Sequence, residues 1–298
     1  MNDFPSGPLP ADRLVEARFP SANLALAYAD ATSAARELEE RHLSGPAASR
    51  ALAEAVVAAA LLSAEASEPD EAVSFRLAGD GAVGDVFAEA TGTGTLRGYT
   101  KVKLLDALDG RDAPPTDAEL FGTRGAVQVM RSLPGRILAT GQAAVPTTPS
   151  VAHALAAYCA ASLQRRTAVL VAARIGPDHR IAFARGITVE RMPDGDVRAF
   201  VAVLEALNAL SRESGEALLA DAPSLRALCD ALKLPTEGVF TDLRPLAFGC
   251  RCSREKVEAT LAALPEADRA ALAAAGKPVT VHCHLCGKAY VLPARPSS

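Results

Sequence analysis

The chain has 298 residues, 49% of them hydrophobic and 22% charged, with a net charge of −4. That length suits about two domains with a real core and excludes a chain disordered by composition. The acidic balance argues against non-specific nucleic-acid binding by the whole molecule. The longest apolar run, Ala55 to Leu62, falls well short of the roughly 20 residues that a membrane span needs, so no membrane association is expected. The opening stretch, MNDFPSGPLPADR, has no basic start followed by an apolar segment, so the expectation is a cytoplasmic chain whose thiols are kept reduced.

In chain order, Arg13 to Ala31 alternates as a strand hairpin. Asp30 or Thr32 is placed to cap a helix over SAARELEERH, which stops near Gly45-Pro46. A second, largely apolar helix runs through AASRALAEAVVAAALLSAEA and is expected to be buried. Three strands follow from Ala72, with turns at Gly79-Asp80-Gly81 and Gly92-Thr93-Gly94. LDGRDAPPTDAELFGTRG reads as a loop, and AVQVMRS and RILATGQAAV as a strand pair around Pro134-Gly135. A helix opens at Pro149-Ser150, and a further hairpin covers Thr167 to Met192. Strands mixed with helices and joined by short turns give an α+β fold.

The period changes after that point. Arg198 to Leu234 is helical, with Val201, Leu204 and Leu207 on one stripe and a break at Pro223. PTEGVFTDLRPLAFG reads as a loop. The expected organisation is therefore an N-terminal mixed sheet-and-helix domain (1–196), a helical linker (197–247) and a small C-terminal zinc-binding domain (248–298).

Four of the six cysteines lie in that last segment, as Cys250-x-Cys252 and Cys283-x-x-Cys286. Paired cysteines in a reducing compartment are more often metal or redox groups than structural disulfides. Two tight pairs of thiolates suit one tetrahedral zinc ion. Cys283 and Cys286 sit at the tip of a hairpin formed by PVTVHC and GKAYVL, with Gly287 relaxing the turn. Cys250 and Cys252 precede a helix capped by Ser253, whose positive end favours thiolates. A second helix begins at Pro265 and stops at Gly276. His282 and His284 are alternative ligands but should face away from Cys283. A module of this size has little core of its own, and metal binding would supply about 10–16 kcal/mol of folding free energy.

With these motifs in place, the chain resembles the heat-shock protein 33 family of redox-regulated holdase chaperones. CRCSREKVEATL and VHCHLCGKAYVL carry the likeness, supported upstream by RLAGDGAVGDVFAEATGTGTLRGY (Arg76 to Tyr99). Where the family often has a Gln-Leu-Leu-Pro-Gly-like stretch, this chain reads VERMPDGD. The resemblance implies that Cys250, Cys252, Cys283 and Cys286 hold one zinc ion in a reduced, inactive state. Peroxide or hypochlorous acid would oxidise them, pairing Cys250 with Cys252 and Cys283 with Cys286 as zinc leaves. The tail would unfold, the linker loosen, and surfaces for unfolding client proteins open, with homodimers forming on activation. No nucleotide and no catalytic residue is implied.

Other signals point elsewhere more weakly. Gly79-x-Gly81-x-x-Gly84 matches a dinucleotide fingerprint, but a strand-like stretch follows it rather than a helix. A nucleic-acid-binding zinc ribbon is the alternative function, yet from Cys250 onward seven Lys/Arg against four Asp/Glu make a small basic footprint. A thiol–disulfide oxidoreductase built on CHLC lacks its βαβ context. Cys159 and Cys229 read as buried small hydrophobes, His42, His153 and His179 as structural or exposed, and RELEERH as a solvated face.

Overall fold

The computed structural model describes residues 7–111, 113–145 and 149–293. The chain divides into two compact units, parted after Phe248. The first opens with the hairpin β1 (Arg13–Phe19) and β2 (Leu24–Asp30), then α1 (Thr32–His42) and α2 (Pro46–Leu62). The meander β3 (Ala72–Gly79), β4 (Asp85–Thr91) and β5 (Thr95–Thr100) follows. Two short helices, α3 (Asp106–Asp109) and α4 (Asp117–Phe121), replace part of the expected loop. The sequence does carry a start signal for α4, because Thr116 and Glu119 form a reciprocal capping box. Then come β6 (Gly125–Leu133), β7 (Arg136–Val145), α5 (Val151–Ala161), and the hairpin β8 (Arg166–Ile175) and β9 (Ile181–Arg191).

Helices α6 (Val197–Asn208), α7 (Arg212–Asp221) and α8 (Leu225–Ala231) precede β10 (Val239–Pro245) and β11 (Ala247–Phe248). Those two strands lie in a stretch expected to be loop. Their partners are far away in sequence: β10 pairs antiparallel with β1, and β11 parallel with β5. Pro245 closes β10 at the edge of its sheet, where a missing N–H is tolerated.

The strands make a five-stranded sheet, ordered β10-β1-β2-β9-β8, and a six-stranded sheet, ordered β11-β5-β4-β3-β6-β7. α2 lies between them, touching β3, β4 and β5 of one and β2, β8 and β9 of the other. Every residue from Ala47 to Leu61 is buried. Its many alanines let both sheets approach a helix that has no solvent face. By length and composition Pro46–Glu65 is able to cross a membrane, so the eight-residue apolar run underestimated it. However, 89% of its apolar window is covered by the protein, as in a core helix.

The five-stranded sheet is buried on both faces. Leu14, Ala27 and Ala29 point to the α2 side, while Val15, Ala17, Leu26 and Tyr28 point away. The outer face is closed by α6, α7 and α8 through Phe200, Val203, Leu219, Leu225 and Leu228. The docked face of α6 differs from the stripe read in the sequence. Phe200 and Val203 are buried, Leu204 and Leu207 half-buried, and Val201 is 41% exposed. Asp196 caps this helix by accepting from the Arg198 and Ala199 N–H groups.

Several local readings also shift. Ala31 is the N-cap of α1, while Asp30 accepts from the Thr32 N–H at 2.9 Å. The RELEERH run is not wholly solvated. Glu39 is buried against Arg180 at 3.2 Å, and His42 Nε2 lies 2.8 Å from the Gly98 carbonyl. His153 and His179 are exposed. The Gly79–Gly84 motif is structural: a Cβ on Gly79 would lie 2.1 Å from the Phe121 carbonyl oxygen, and one on Gly81 would lie 2.2 Å from the Gly122 nitrogen. β4 follows the motif directly.

The second unit holds α9 (Arg254–Ala262), α10 (Glu266–Ala274) and the hairpin β12 (Val279–His282) and β13 (Ala289–Leu292). Its core is small: Val257, Tyr290 and Leu292, with Leu261, Val281, Cys252 and Cys283 packed at its edge. No residue of α10 is buried.

Because the Gly81 site abuts backbone, Gly81→Ala is expected to lower stability by about 1–3 kcal/mol through overpacking. Urea unfolding followed by circular dichroism checks this; an unchanged midpoint would contradict the close approach.

Candidate metal centre

Cys250 and Cys252 lie in the irregular segment just before α9. Ser253 caps that helix by accepting the Lys256 N–H at 3.3 Å, as the sequence suggests. Lys256 Nζ returns to the Arg251 carbonyl at 2.6 Å, fixing the segment between the two thiols. Cys283 and Cys286 occupy the turn between β12 and β13. There the Cys286 and Gly287 N–H groups bond to the Cys283 carbonyl at 3.3 and 2.8 Å, and the Cys283 N–H bonds to the Lys288 carbonyl at 2.8 Å. Gly287 has φ +71°, a left-handed conformation that glycine adopts without a Cβ penalty.

These two backbone devices bring all four sulfurs within 4.8 Å of one another. Cys250 Sγ is 3.7 Å from Cys283 Sγ, and Cys252 Sγ is 3.5 Å from Cys286 Sγ. Sulfurs placed tetrahedrally at the usual zinc–sulfur distance of about 2.3 Å stand about 3.8 Å apart. The observed spacing and the all-thiol donor set therefore fit a zinc ion. His282 and His284 are exposed and lie outside the four-sulfur group. His284 belongs to the turn rather than to a strand.

The thiols differ in environment. Burial opposes ionisation of Cys252, but hydrogen bonds from the Tyr290 hydroxyl and the neighbouring thiols outweigh it and bring Cys252 down to about 7. Tyr290 Oη donates to Cys252 Sγ at 3.0 Å. Burial pushes Cys283 and Cys286 up, against N–H donors from Leu285 and Lys288 respectively. The four sulfurs thus cannot all ionise together unless a cation compensates them. For Cys252, the hydroxyl of Tyr290 contributes what the sequence reading assigned to the helix terminus. By contrast, burial, helped by nearby carboxylates (Glu65 and Glu190 for Cys159, Asp230 for Cys229), drives Cys159 up to about 11 and Cys229 up to about 12, which disfavours the reactive thiolate in both.

Tyr290 is the functional residue that motif reading passed over. It pairs with Val281 across the hairpin, which places its ring in the small core and its hydroxyl at the sulfur cluster. The Lys288 ammonium lies 5.1 Å from its ring centroid. The available signal was strand alternation: Tyr290 and Leu292 share the inward face of β13.

A family model described as Hsp33 protein matches residues 12–293. The chain belongs to the Hsp33 family. It is 29% identical over 286 residues to the 33 kDa chaperonin of Symbiobacterium thermophilum, with 94% of each chain covered. It is 32% identical over 288 residues to the 33 kDa chaperonin of Thermus thermophilus, covering 90% of this chain and 80% of that one. The crystal structure of the 33 kDa chaperonin of Thermotoga maritima shares the fold, with a TM-score of 0.83, 20% identity and 96% of both chains covered. Membership of the Hsp33 family supports a chaperone role.

Tyr290→Phe is expected to weaken zinc binding about 10–100-fold, the usual cost of removing an outer-shell partner of a metal ligand. Competition against a chromogenic chelator measures it. Affinity equal to that of the unaltered protein would show that the hydroxyl does not support the site.

Proposed function

We propose that this Hsp33-family chain is an ATP-independent holdase switched by oxidation of its four clustered thiols. One observation carries the reading: four sulfurs within 4.8 Å, in a unit whose described apolar core is little more than Val257, Tyr290 and Leu292. In this reading residues 1–196 bind clients and dimerise, 197–247 form the linker, in which strand β10 follows the three helices, and 248–298 are the redox switch. Cys250, Cys252, Cys283 and Cys286 hold one zinc ion in the reduced state. A bound zinc ion would supply the positive charge that keeps four thiolates together and the unit folded.

Oxidation proceeds in two balanced steps. A thiolate attacks peroxide, breaking the O–O bond to give a sulfenic acid and hydroxide. A neighbouring thiolate then displaces the second oxygen, forming a disulfide and releasing another hydroxide. We assign the pairs as Cys250 with Cys252 and Cys283 with Cys286. Because all four sulfurs lie within 4.8 Å, this pairing needs only local movement. Loss of four thiolates removes the metal site and with it most of what holds the unit together.

The apolar surface for clients is assigned to the outer face of the five-stranded sheet, which α6, α7 and α8 cover in the described state. Exposed apolar area of that kind binds other apolar surface. We place the protein in the cytoplasm as a homodimer when active, with unfolding proteins as partners and no catalytic turnover.

Freshly reduced protein is expected to contain one zinc per chain and to leave a thermally unfolding client free to aggregate. Peroxide with mild heat should release the zinc, reduce the ordered structure seen by circular dichroism, and suppress aggregation. Oxidised, zinc-free protein that never suppresses aggregation overturns the proposal, as does reduced protein that binds no zinc yet keeps a compact tail.

A further inference from the structure

Helix α2 carries two charged side chains one turn apart in the core, Arg50 and Glu54, only 4% and 2% exposed. They are 3.7 Å apart, and Arg50 Nη2 also reaches Asp117 at the start of α4 at 2.9 Å. Arg50 further donates to the Pro115 carbonyl. The remaining partner comes from α7. Arg212, its first residue, donates to Glu54 Oε1 at 2.7 Å, pairs with Asp117, and reaches Glu216 at 3.1 Å. Glu216 in turn lies 3.8 Å from Arg174 on β8. At the far end of α7, Arg185 of β9 is held by buried Asp30 at 2.8 Å and donates to the Leu219 and Ala220 carbonyls at 3.0 and 3.1 Å.

α7 is therefore fastened at both ends by arginines, and Arg212 closes a network that is otherwise inside the core. Withdrawing Arg212 leaves Glu54 and Asp117 to share Arg50. Removing one partner of a buried pair is far more costly than forming the pair is favourable. No thiol takes part in any of these contacts.

We propose that Arg212 is the closing element of a charge lock that holds α7 over the five-stranded sheet whatever the state of the four cysteines. The apolar face beneath α6, α7 and α8 then opens only when this lock yields, in addition to any change in the metal centre. The consequence for client binding rests on the function proposed above; the lock itself does not.

Hydrogen exchange with mass spectrometry on the full-length, reduced, zinc-loaded protein separates the two, since it uses neither oxidant nor client. Arg212→Gln is expected to speed amide exchange in residues 212–221 by about tenfold or more while β1 and β2 stay protected. Arg212→Lys should restore most of that protection. With the lock weakened, the reduced Arg212→Gln protein should also suppress client aggregation in part. Unchanged exchange in α7 overturns the lock, and so does equal acceleration throughout the first unit, which would make Arg212 a general support of the fold. Should Arg212→Gln not fold, Asp117→Asn carries the same expectation and the same overturning results. Faster exchange in α7 without any client protection keeps the lock and counts against the assigned client surface.

Discussion

Four sulfurs within 4.8 Å of one another are stable in only three ways: protonated, ionised around a cation, or bonded in pairs. The second unit is organised around that restriction. Its two backbone turns exist to converge the thiols, and its described core ends after a handful of side chains. Burial alone would keep Cys283 and Cys286 protonated, whereas Cys252 is drawn toward ionisation by its hydrogen bonds. A dication resolves the conflict by accepting all four thiolates. On the function proposed above, moving from the second chemical state to the third would remove the principal cross-link of the unit and so couple redox chemistry to folding stability.

The first unit works in the opposite regime. α2 has no solvent face, the two sheets close on it, and the five-stranded sheet is covered again on its outer side. Stability there is spread over many apolar contacts, and its two cysteines, Cys159 and Cys229, are buried within them. The contrast gives the chain a large, insensitive body and a small unit whose integrity depends on few atoms. On the function proposed above, the small unit would act as a sensor, which needs low local stability, and the body as a scaffold, which needs high stability. Placing them in separate compact units lets each be satisfied.

Much of this was readable from residue order alone. Hairpins with local turns, the capped helices and the two cysteine pairs declare themselves by spacing over a few residues. What escaped reading depends on distant partners. β10 was invisible because Val239–Pro245 follows Gly238 and itself contains Asp242 and Pro245, and it becomes a strand beside β1. Arg50 and Glu54 lie on a helix read as buried, but nothing local names their partner, because Arg212 reaches Glu54 from 158 residues later. The docked face of α6 was misjudged because helical spacing gives a period without saying which side meets the sheet. Tyr290 belongs to neither cysteine motif, although its place on the inward face of β13 was available from alternation. The capping box at Thr116 was a local signal, hidden inside a stretch rich in Pro, Asp and Gly.

The buried charges also bear on why α7 sits where it does. The face it shares with α6 and α8 includes Ala199, Ala220 and Ala222, side chains too short to interlock deeply. The hydrophobic contribution of such contacts is favourable but non-directional. Ion pairs and hydrogen bonds discriminate more sharply. Arg212 reaches Glu54 and Asp117 in one register only, and the Leu219 and Ala220 carbonyls meet Arg185 in that same register. Replacing such a network by apolar residues of similar volume is often neutral for stability, since desolvation offsets much of the attraction in buried pairs. The charges thus contribute position more than strength, and position decides whether the sheet face is covered.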